Sequence, residues 1–300
     1  MLAHLEVGAG RVVFPFELRP IPSDISRGER DYASPYGYGG PFEEGDAHAA
    51  SRDFWTQFDA WCRDTRVISG FTRMSLFSQC VPSDGVGLLE LFGNVVVNLE
   101  RTPDEIWEGY ARKVRKNVRR ARDSGLEVQE DPSGAHLDEF LAIYDATMTR
   151  REASSTFFFG RPFFQRIVDE MPGSYTFVHV RKAGDLVSTE LVLKSKHYLY
   201  SFLGGTLDTA FDMRPNDLLK HYVISLGQER GYRGFVLGGG YGGEDGIFRY
   251  KQAFDPAGVV PFRVIRRVVD AARVEQLVAD RVRRDPMWTP TESFFPPYRA

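Results

Sequence analysis

The order of apolar and polar positions along the chain predicts alternating strands and helices. The β-branched and aromatic run over residues 11–18 predicts a strand, and Pro15 favours an edge or a strand end. Aromatic residues at helical spacing over residues 54–64 predict an amphipathic helix that packs on a sheet. Three alternating runs later in the chain predict consecutive strands, the first two joined by a turn at Ala183-Gly184. These strands are Tyr175–Lys182, Asp185–Lys194 and residues 197–203.

Capping residues predict where one long helix begins and ends. Thr102 is a cap, Pro103 occupies the first turn and Glu105 lies three residues after the cap, so a helix is expected up to residue 124, with Gly125 as its stop. Further helices are predicted over residues 136–151, 162–171 and 215–230, and strands over residues 74–77, 94–99 and Gly234–Gly238. Residues 262–284 predict a strand that passes into a basic helix. This order is typical of an α/β or α+β fold, a mixed sheet flanked by helices.

Composition places the chain among ordinary globular proteins and excludes fibrous or wholly disordered ones. It has 300 residues, 42% hydrophobic and 26% charged, enough for one large domain or two smaller ones. Cys62 and Cys80 are its two cysteines, so neither a disulfide framework nor a zinc site is supported, and a reducing, cytoplasmic setting is expected. The start lacks the features of a signal peptide, and the apolar runs are too short to cross a bilayer.

Charge is nearly balanced overall but concentrated in one segment. With 38 Lys+Arg against 41 Asp+Glu, the net charge is -3, so a nucleic-acid partner needs a local basic patch. No acidic residue occurs between Glu108 and Asp123, which predicts contact with the phosphate backbone of a nucleic acid. An ordinary solvated helix is the alternative. The cations of this segment are Arg112, Lys113, Arg115, Lys116, Arg119, Arg120 and Arg122.

Three motifs, in order, resemble the Fem-type (FemABX) peptidyltransferases and their N-acyltransferase relatives. The loop from Ser34 to Pro41 is similar to the family's "SPYGYxGP" loop, and residues 115–125 are similar to its "R-x-N-x-R-x-A-x-x-x-G" helix. The later residues fit its closing "LL…G…LGG…GxxxxKxxF" pattern. They are Leu218, Leu219, Gly231, Leu237, Gly238, Gly239, Gly246, Lys251 and Phe254.

The resemblance implies a tandem GNAT-type fold, with two related acyltransferase-like domains and substrates in clefts. We expect the first domain over residues 1–130, completed by about residues 260–300, and the second over residues 131–259. Family members usually have an extra strand and helix before the position where this chain starts, so the first domain is expected to be shortened there. The implied reaction transfers an aminoacyl group from aminoacyl-tRNA to an amine of a small molecule, a peptide or a peptidoglycan precursor, without a metal or a bound cofactor.

Lys251 is the residue most directly suited to this chemistry. When an amine attacks an aminoacyl ester, negative charge develops on the carbonyl oxygen and then on the departing ribose oxygen, and one fixed cation can stabilise both. The resemblance maps the family's functional aromatic–lysine pair onto Tyr250 and Lys251. The pattern over residues 248–254 predicts a strand, on which a lysine that merely reaches solvent from the strand edge is the alternative.

Glycines and arginines suggest where the acceptor binds. Residues 238–243 form a Gly-rich loop that lets a substrate approach the backbone closely, although a flexible turn explains it equally well. No GxGxxG spacing occurs there and no helix is expected to follow, which disfavours a dinucleotide site. Arg150 and Arg161 suit carboxylate or phosphate capture, with a structural ion pair as the alternative. The predicted acceptor-binding residues are Arg150, Arg161, Tyr36, Tyr38, Gly239 and Tyr241.

Two rival functions stay open from the sequence. An acyl-CoA-dependent N-acyltransferase of the same fold is disfavoured because the chain lacks the Gly-rich turn before a helix that binds pyrophosphate. A catalytically silent module that binds RNA or another ligand is the second rival. The six histidines are scattered without an HExxH motif or a serine–histidine–aspartate order, which disfavours metalloenzymes and hydrolases.

Overall fold

The computed structural model describes residues 1–78, 80–241, 245–291 and 294–300. Its strands are β1 (Leu2–Val7), β2 (Gly10–Pro15), β3 (Glu17–Pro20), β4 (Arg30–Ala33), β5 (Phe42–Glu44), β6 (Val67–Arg73), β7 (Leu88–Asn98), β8 (Leu126–Asp131), β9 (Tyr175–Lys182), β10 (Asp185–Lys194), β11 (Tyr198–Thr206), β12 (Gly234–Gly238) and β13 (Val259–Val268). Its helices are α1 (His48–Asp64), α2 (Pro103–Gly109), α3 (Arg112–Asp123), α4 (Leu137–Arg150), α5 (Arg161–Glu170), α6 (Pro215–Glu229), α7 (Gly246–Gln252) and α8 (Ala271–Arg284).

Two compact units make up the chain. The first joins Met1–Leu91 to Pro261–Ala300, and the second is Phe92–Val260. In this division residues 92–130 group with the second unit. The domain boundaries expected from the sequence, after residues 130 and 259, stay a prediction. In the described part of the chain, no helix is both long and apolar enough to cross a membrane.

The first unit builds its core from aromatic side chains. Strands β1, β2 and β5 form an antiparallel sheet, while β3, β4, β6 and β13 follow one another in a mixed arrangement in which only the β4–β6 pair is parallel. Helix α1 covers β2, so that Phe54 and Phe58 pack against the ring of Phe14 at centroid distances of 6.1 and 5.4 Å. Burial of such rings is the main stabilising contribution here.

The second unit is a six-strand run with helices on both faces. The strand order is β7, β12, β11, β10, β9, β8, and only the β11–β12 pair is parallel. On one face α4 and α5 bury Phe140 and Phe164 against Leu191 of β10. On the other face α2, α3, α6 and α7 bury a larger core that includes Val192 and Phe235. Alternate residues of β10 therefore face opposite layers.

The parallel pair separates at its carboxyl end. Backbone pairing joins β11 to β12 only from Tyr198 to Tyr200, although β11 continues to Thr206. Both strands carry a register shift at this level: Phe202 is the extra residue of β11 against β10, and Leu237 is the extra residue of β12 against β7. Bulges bend strands and redirect side chains. Just beyond the last paired residue of β11, Ser201 forms hydrogen bonds with side chains of β10 and α6.

Most predicted elements are confirmed, including the strands β9, β10 and β12, the helices α1, α4, α5 and α6, and the strand followed by a basic helix near the carboxyl end. The strand expected over residues 74–77 is wrong, because β6 and its partner β13 stop pairing at Arg73, and Met74 lies in a loop. The long helix from Thr102 is confirmed at its start, where the complete capping box forms, but it is divided in two.

The division comes from Tyr110, whose backbone is extended between α2 and α3. Its ring is 2% exposed and packs against Phe254 at 5.6 Å, which a continuous helix would not allow. Arg115 stabilises the break, because its guanidinium donates hydrogen bonds to carbonyl oxygens of Trp107, Glu108 and Tyr110 at the end of α2.

Residues 248–254 do not form the expected strand. They lie largely in helix α7, which begins just after the Gly-rich loop, so the expectation that no helix opens there is also wrong. Asp245 caps this helix: its carboxylate accepts from the backbone N–H of Phe248 at 2.8 Å. Gly242 and Gly243 of the loop lie outside the described residues.

Candidate functional site

Lys251 lies at the carboxyl end of β12, where β11 and β12 have separated. Its ammonium donates a hydrogen bond to the carbonyl oxygen of Gly239, 2.7 Å away. Asp245, which caps α7, also accepts a hydrogen bond from the backbone N–H of Tyr241 at 2.7 Å. Burial and the nearby charge of Lys220 lower the pKa of Lys251 to about 8, although Glu190 and Asp245 oppose part of this shift. The lysine is thus a cation at neutral pH that loses its proton more readily than an ordinary lysine.

A buried polar cluster lies on the same face of the sheet, formed by Glu190 of β10, Ser201 of β11 and Lys220 of α6. The Lys220 ammonium donates to the Ser201 hydroxyl at 2.7 Å and forms an ion pair with Oε1 of Glu190. The Ser201 hydroxyl donates to the same oxygen. Lys220 also lies over the ring of Phe235, with 5.6 Å between Nζ and the ring centroid.

One oxygen of this cluster has no partner. Oε2 of Glu190 is buried and makes no hydrogen bond. Glu190 is 4% exposed and Lys220 6%, so both charges are removed from water. Burying a charged pair of this kind contributes little to the stability of the fold, because the free energy of desolvation offsets much of the attraction between the two charges. Sequence reasoning missed this cluster. The signal for it is a glutamate inside the apolar run of β10 and a lysine on the buried helix α6.

Tyr250 precedes Lys251 and points its hydroxyl into the protein. The hydroxyl is buried and unpartnered, and its ring packs edge-on against Phe254 at 5.4 Å. Burial, together with the negative charges of Asp217 and Glu190, raises the pKa of Tyr250 well above its usual value. The phenol therefore stays protonated at every physiological pH and does not act as an anion.

Two further predicted acceptor residues of the second unit are Tyr241, which follows Gly239 in this loop, and Arg150, which ends α4. Tyr241 is 71% exposed and contacts the ring of Phe157, with 6.4 Å between centroids. Tyr241 and Phe157, together with Arg151 and Ile247, border a cavity of about 380 Å³. Arg150, the last residue of α4, lies over the ring of Phe211 at 4.9 Å. The structure thus brings Gly239, Tyr241, Tyr250 and Lys251 together in one loop and helix.

The other predicted acceptor residues have separate surroundings of their own. Arg161 forms an exposed ion pair with Asp138, as the structural alternative expects. Tyr36 and Tyr38 belong to the first unit, in a loop without helix or strand. Tyr36 is 78% exposed under the guanidinium of Arg73, and the ring of Tyr38 contacts that of Phe262 at 5.8 Å.

Helix α3 carries the predicted basic surface. Its apolar residues Val114, Val118 and Ala121 are buried, and the cations point away from them. Arg112, Lys113, Lys116, Arg119, Arg120 and Arg122 are exposed, whereas Arg115 is half-buried. Within the described ranges, the side chains of Arg112, Lys116 and Arg120 form no hydrogen bond or ion pair. At helical spacing these three lie along one face, so their charges act on the same region of solvent.

Two contacts hold α3 against α6, the helix that carries Lys220. Asn117 donates to the carboxylate of Asp217 at 3.1 Å, and Arg122 contacts Nε2 of His221 at 2.9 Å. Burial and the charge of Arg122 lower the pKa of His221 to about 4, so the imidazole is neutral and accepts from Arg122. Among the described residues, no group of three or more His, Cys, Asp or Glu side chains is arranged to hold a metal ion.

Comparison with known proteins supports this fold. Residues 110–252 match the family described as "Acetyltransferase (GNAT) domain". The structure is similar to that of FemX, with a TM-score of 0.67 and 13% identity over 93% of this chain and 90% of that one. It also resembles the C-terminal domain of a putative lysylphosphatidylglycerol synthetase from Agrobacterium fabrum, with a TM-score of 0.60 and 16% identity over 93% and 87% of the two chains.

A third similar structure is that of L-PGS from Bacillus licheniformis, with a TM-score of 0.60 and 14% identity over 92% of this chain and 86% of that one. No protein with a curated description matches the sequence. The predicted Fem-type GNAT fold is confirmed. At these identities the structural similarity reports the fold and leaves the substrates undetermined.

Proposed function

We propose that this protein transfers an aminoacyl group from aminoacyl-tRNA to an amine and so forms an amide bond. The observation that carries the proposal is Lys251, a partly buried ammonium held at the open end of two separated strands. A fixed cation in a site sheltered from water stabilises developing negative charge strongly. The acceptor is an amine of a small molecule, a peptide or a peptidoglycan precursor.

The reaction needs little beyond this cation, because an aminoacyl ester is already activated. The amine nitrogen forms a bond to the ester carbonyl carbon, and charge collects on the carbonyl oxygen near Lys251. The bond from carbon to the ribose oxygen then breaks, and its electron pair stays on that oxygen. The nitrogen loses one proton and the ribose oxygen gains one, so the charges balance. Lys251 faces negative charge in both stages.

Helix α3 supports tRNA as the donor. Its exposed cations lie in the same unit as Lys251 and are joined to α6 by Asn117 and Arg122. Each lysine or arginine that neutralises a phosphate releases counterions and adds affinity. The proposed tRNA-binding residues are Arg112, Lys113, Arg115, Lys116, Arg119 and Arg120.

The outer side of the loop is the proposed acceptor site. Gly239 and Tyr241 are proposed to border the approach to Lys251, and Arg150 is proposed to supply a guanidinium for a carboxylate or phosphate on the acceptor. Tyr250 is proposed to hold Lys251 in place through its ring and not through its hydroxyl. Roles for Arg161, Tyr36 and Tyr38 in acceptor binding stay predictions.

An acyl-CoA-dependent N-acyltransferase is the second candidate, favoured by the match of residues 110–252 to the GNAT domain family. The chain ahead of α6 argues against a pyrophosphate there. Pro215 at the first position of α6 has no N–H to donate, and Asp208 and Asp212 add negative charge just before it.

One experiment separates these donors. The protein is incubated with charged tRNA or with acyl-CoA, in each case with lysine, putrescine or a muramyl pentapeptide as the amine, and products are identified by mass. Amide formed from charged tRNA supports the proposal. Amide formed from acyl-CoA alone overturns it in favour of the second candidate, and no amide from either donor favours a binding module.

A further inference from the structure

The cavity of about 380 Å³ beside the loop after β12 has two charged residues to which the proposed reaction gives no part. Arg151 and Glu152, which come directly after α4, form one part of its wall. The ring of Phe157, Tyr241 of the loop and Ile247 of α7 form another part. Its volume and its mixture of aromatic rings with a few charged groups are typical of a small-molecule site.

The two charges of this cavity are available to a ligand. In the part of the chain that the structure describes, the side chains of Arg151 and Glu152 form no hydrogen bond or ion pair. They do not pair with each other, because consecutive residues at a helix end do not face each other. The preceding Arg150 is engaged elsewhere, since its guanidinium lies over the ring of Phe211. The cavity thus offers one positive and one negative group to a ligand that carries both charges.

The backbone holds Glu152 in a conformation that is uncommon for its residue type. Its φ is 49°, the left-handed region that glycine usually occupies after a helix. Its N–H donates to the carbonyl oxygen of Thr149 at 3.0 Å, and the N–H of Ala153 donates to that of Met148 at 3.1 Å. Residues other than glycine in this region cluster at functional sites, where a particular side chain is required. The position therefore favours a use for the Glu152 carboxylate.

We propose that this cavity binds the ammonium and carboxylate groups of a free diamino acid, such as lysine, and that this diamino acid is the acceptor. Arg151 binds the carboxylate, to which its planar guanidinium offers two parallel N–H donors, and Glu152 binds the α-ammonium. The rings of Phe157 and Tyr241, whose centroids are 6.4 Å apart, pack against the methylene groups. The inference rests on the proposed function, because it names the class of amine that accepts the aminoacyl group.

The loop and α7 join this cavity to Lys251. Ile247 borders the cavity and Lys251 is four residues further along α7, so the two side chains lie on the same face of the helix, about 6 Å apart along its axis. Tyr241 follows Gly239, whose carbonyl oxygen accepts the hydrogen bond from Lys251. A chain of methylene groups separates the side-chain amine of a diamino acid from its α-carbon and spans a distance of this order. That amine is therefore the one expected to react.

Both charges of the ligand are needed to use the whole site. A simple diamine has no carboxylate for Arg151, and an amino acid without an α-amine has no ammonium for Glu152. Each missing group removes one charge-assisted hydrogen-bonded pair. Because both residues are exposed to solvent in the free protein, we expect each pair to contribute about 5–10-fold in affinity and not more.

Binding of three related ligands tests the inference without tRNA. Isothermal titration calorimetry gives the Kd values of L-lysine, of cadaverine, which lacks the carboxylate, and of 6-aminohexanoate, which lacks the α-ammonium. Wild type should bind lysine about 5–10-fold more tightly than either analogue. Absence of lysine binding at millimolar concentrations, or absence of a preference against either analogue, overturns the inference. The comparison uses wild type, so it is decisive even if a variant fails to fold.

Two variants assign each charge to its residue. Arg151→Gln should lose the preference for lysine over cadaverine and keep the preference over 6-aminohexanoate, whereas Glu152→Gln should do the reverse. A merely structural effect would weaken the binding of all three ligands alike. Arg166→Gln, which removes an exposed arginine paired with Glu170 in the same unit, is the control and should keep both preferences. Preferences that are unchanged in Arg151→Gln and Glu152→Gln overturn the inference.

Activity separates this inference from the proposed function. With charged tRNA and lysine, the amide should form at the side-chain amine, which tandem mass spectrometry locates. If lysine binds with both preferences but no donor gives amide, the diamino-acid site stands and the proposed function falls. If amide forms from charged tRNA at the α-amine, or equally well on cadaverine, the inference alone falls.

Discussion

The ammonium of Lys251 and the carbonyl oxygen of Gly239 form a hydrogen bond of 2.7 Å that ties α7 to the end of β12. The contact fixes where the positive charge of the site lies. The Gly-rich loop thereby gains a definite structural role, since its first residues hold the lysine that follows it.

Replacing Lys251 tests the importance of that charge. Lys251→Ala should lower kcat for amide formation by about 10²–10³-fold, as expected when a fixed electrostatic donor is lost, with little change in the Kd for charged tRNA. Steady-state kinetics and filter binding give the two quantities. Lys182→Ala is the control and should behave like wild type. Equal kcat values for Lys251→Ala and wild type would remove Lys251 from the mechanism.

The pH dependence follows from the lowered pKa of Lys251. In the proposed reaction the protonated lysine stabilises the transition state, so activity should fall as the pH rises through about 8, whereas an ordinary lysine would lose its charge near pH 10.4. Lys251→Arg keeps a charge at all these pH values and should abolish this basic limb. Initial rates between pH 6 and 10 with saturating amine provide the measurement. A basic limb that is identical in wild type and Lys251→Arg would contradict the assignment.

Gly239 has too little room for a side chain unless its neighbours shift by a few tenths of an ångström. A Cβ there would lie 3.0 Å from the carbonyl oxygen of Gly93 and 3.1 Å from the ring of Phe92. Gly239→Ala should therefore push the loop away and displace the carbonyl that holds Lys251. Because small misplacements of a catalytic group can cost up to about 10²-fold, we expect kcat to fall at least 10-fold.

Gly246→Ala is the matched control for this change, since a Cβ at Gly246 meets nothing within 4 Å. Gly246 is the first residue of α7, and its replacement by alanine should leave both kcat and the melting temperature close to wild type. If the two variants have equal kcat, the position of the Gly239 carbonyl does not matter to the reaction.

The basic face of α3 makes a salt-dependent prediction. Replacing Arg112, Lys116 and Arg120 together by Gln should weaken tRNA binding. It should also reduce the slope of log Kd against log salt concentration by about 2–3, because each phosphate that the protein no longer neutralises lowers the number of counterions released. Arg166→Gln, an exposed arginine paired with Glu170, is the control. Binding that is insensitive to salt in wild type would make α3 an ordinary solvated helix.

Local signals along the chain predict the fold well but not the way its elements meet. Strands β9 and β10, their turn and the capping box at Thr102 follow from short-range pattern, because each depends on neighbouring residues alone. The break at Tyr110 does not, because it arises from packing against Phe254, a distant residue. The prediction of a strand at residues 248–254 was wrong because it followed the aromatic residues, which are common in strands. The N-cap supplied by Asp245 starts a helix there.

The candidate site was predicted in part for the same reason. Lys251, Tyr250 and Gly239 lie close in sequence and belong to one recognisable motif. Glu190 and Lys220 lie on separate elements, and only the pairing of β10 with β11 and the packing of α6 bring them together. A charged residue in an otherwise apolar strand is the sequence signal that points to such a cluster, but its partner cannot be read from local pattern.

Single-turnover transfer from a labelled aminoacyl-tRNA tests the central claim most directly. Wild-type protein in excess is mixed with tRNA charged with a radiolabelled amino acid and with the amine that gives most product, and the label in amide is followed over time. We expect label to enter amide, the signal to vanish when the charged tRNA is first digested with ribonuclease and hydrolysed, and Lys251→Ala to slow it by about 10²–10³-fold. Label that stays on tRNA, while the same amine is acylated from acyl-CoA, would contradict the account.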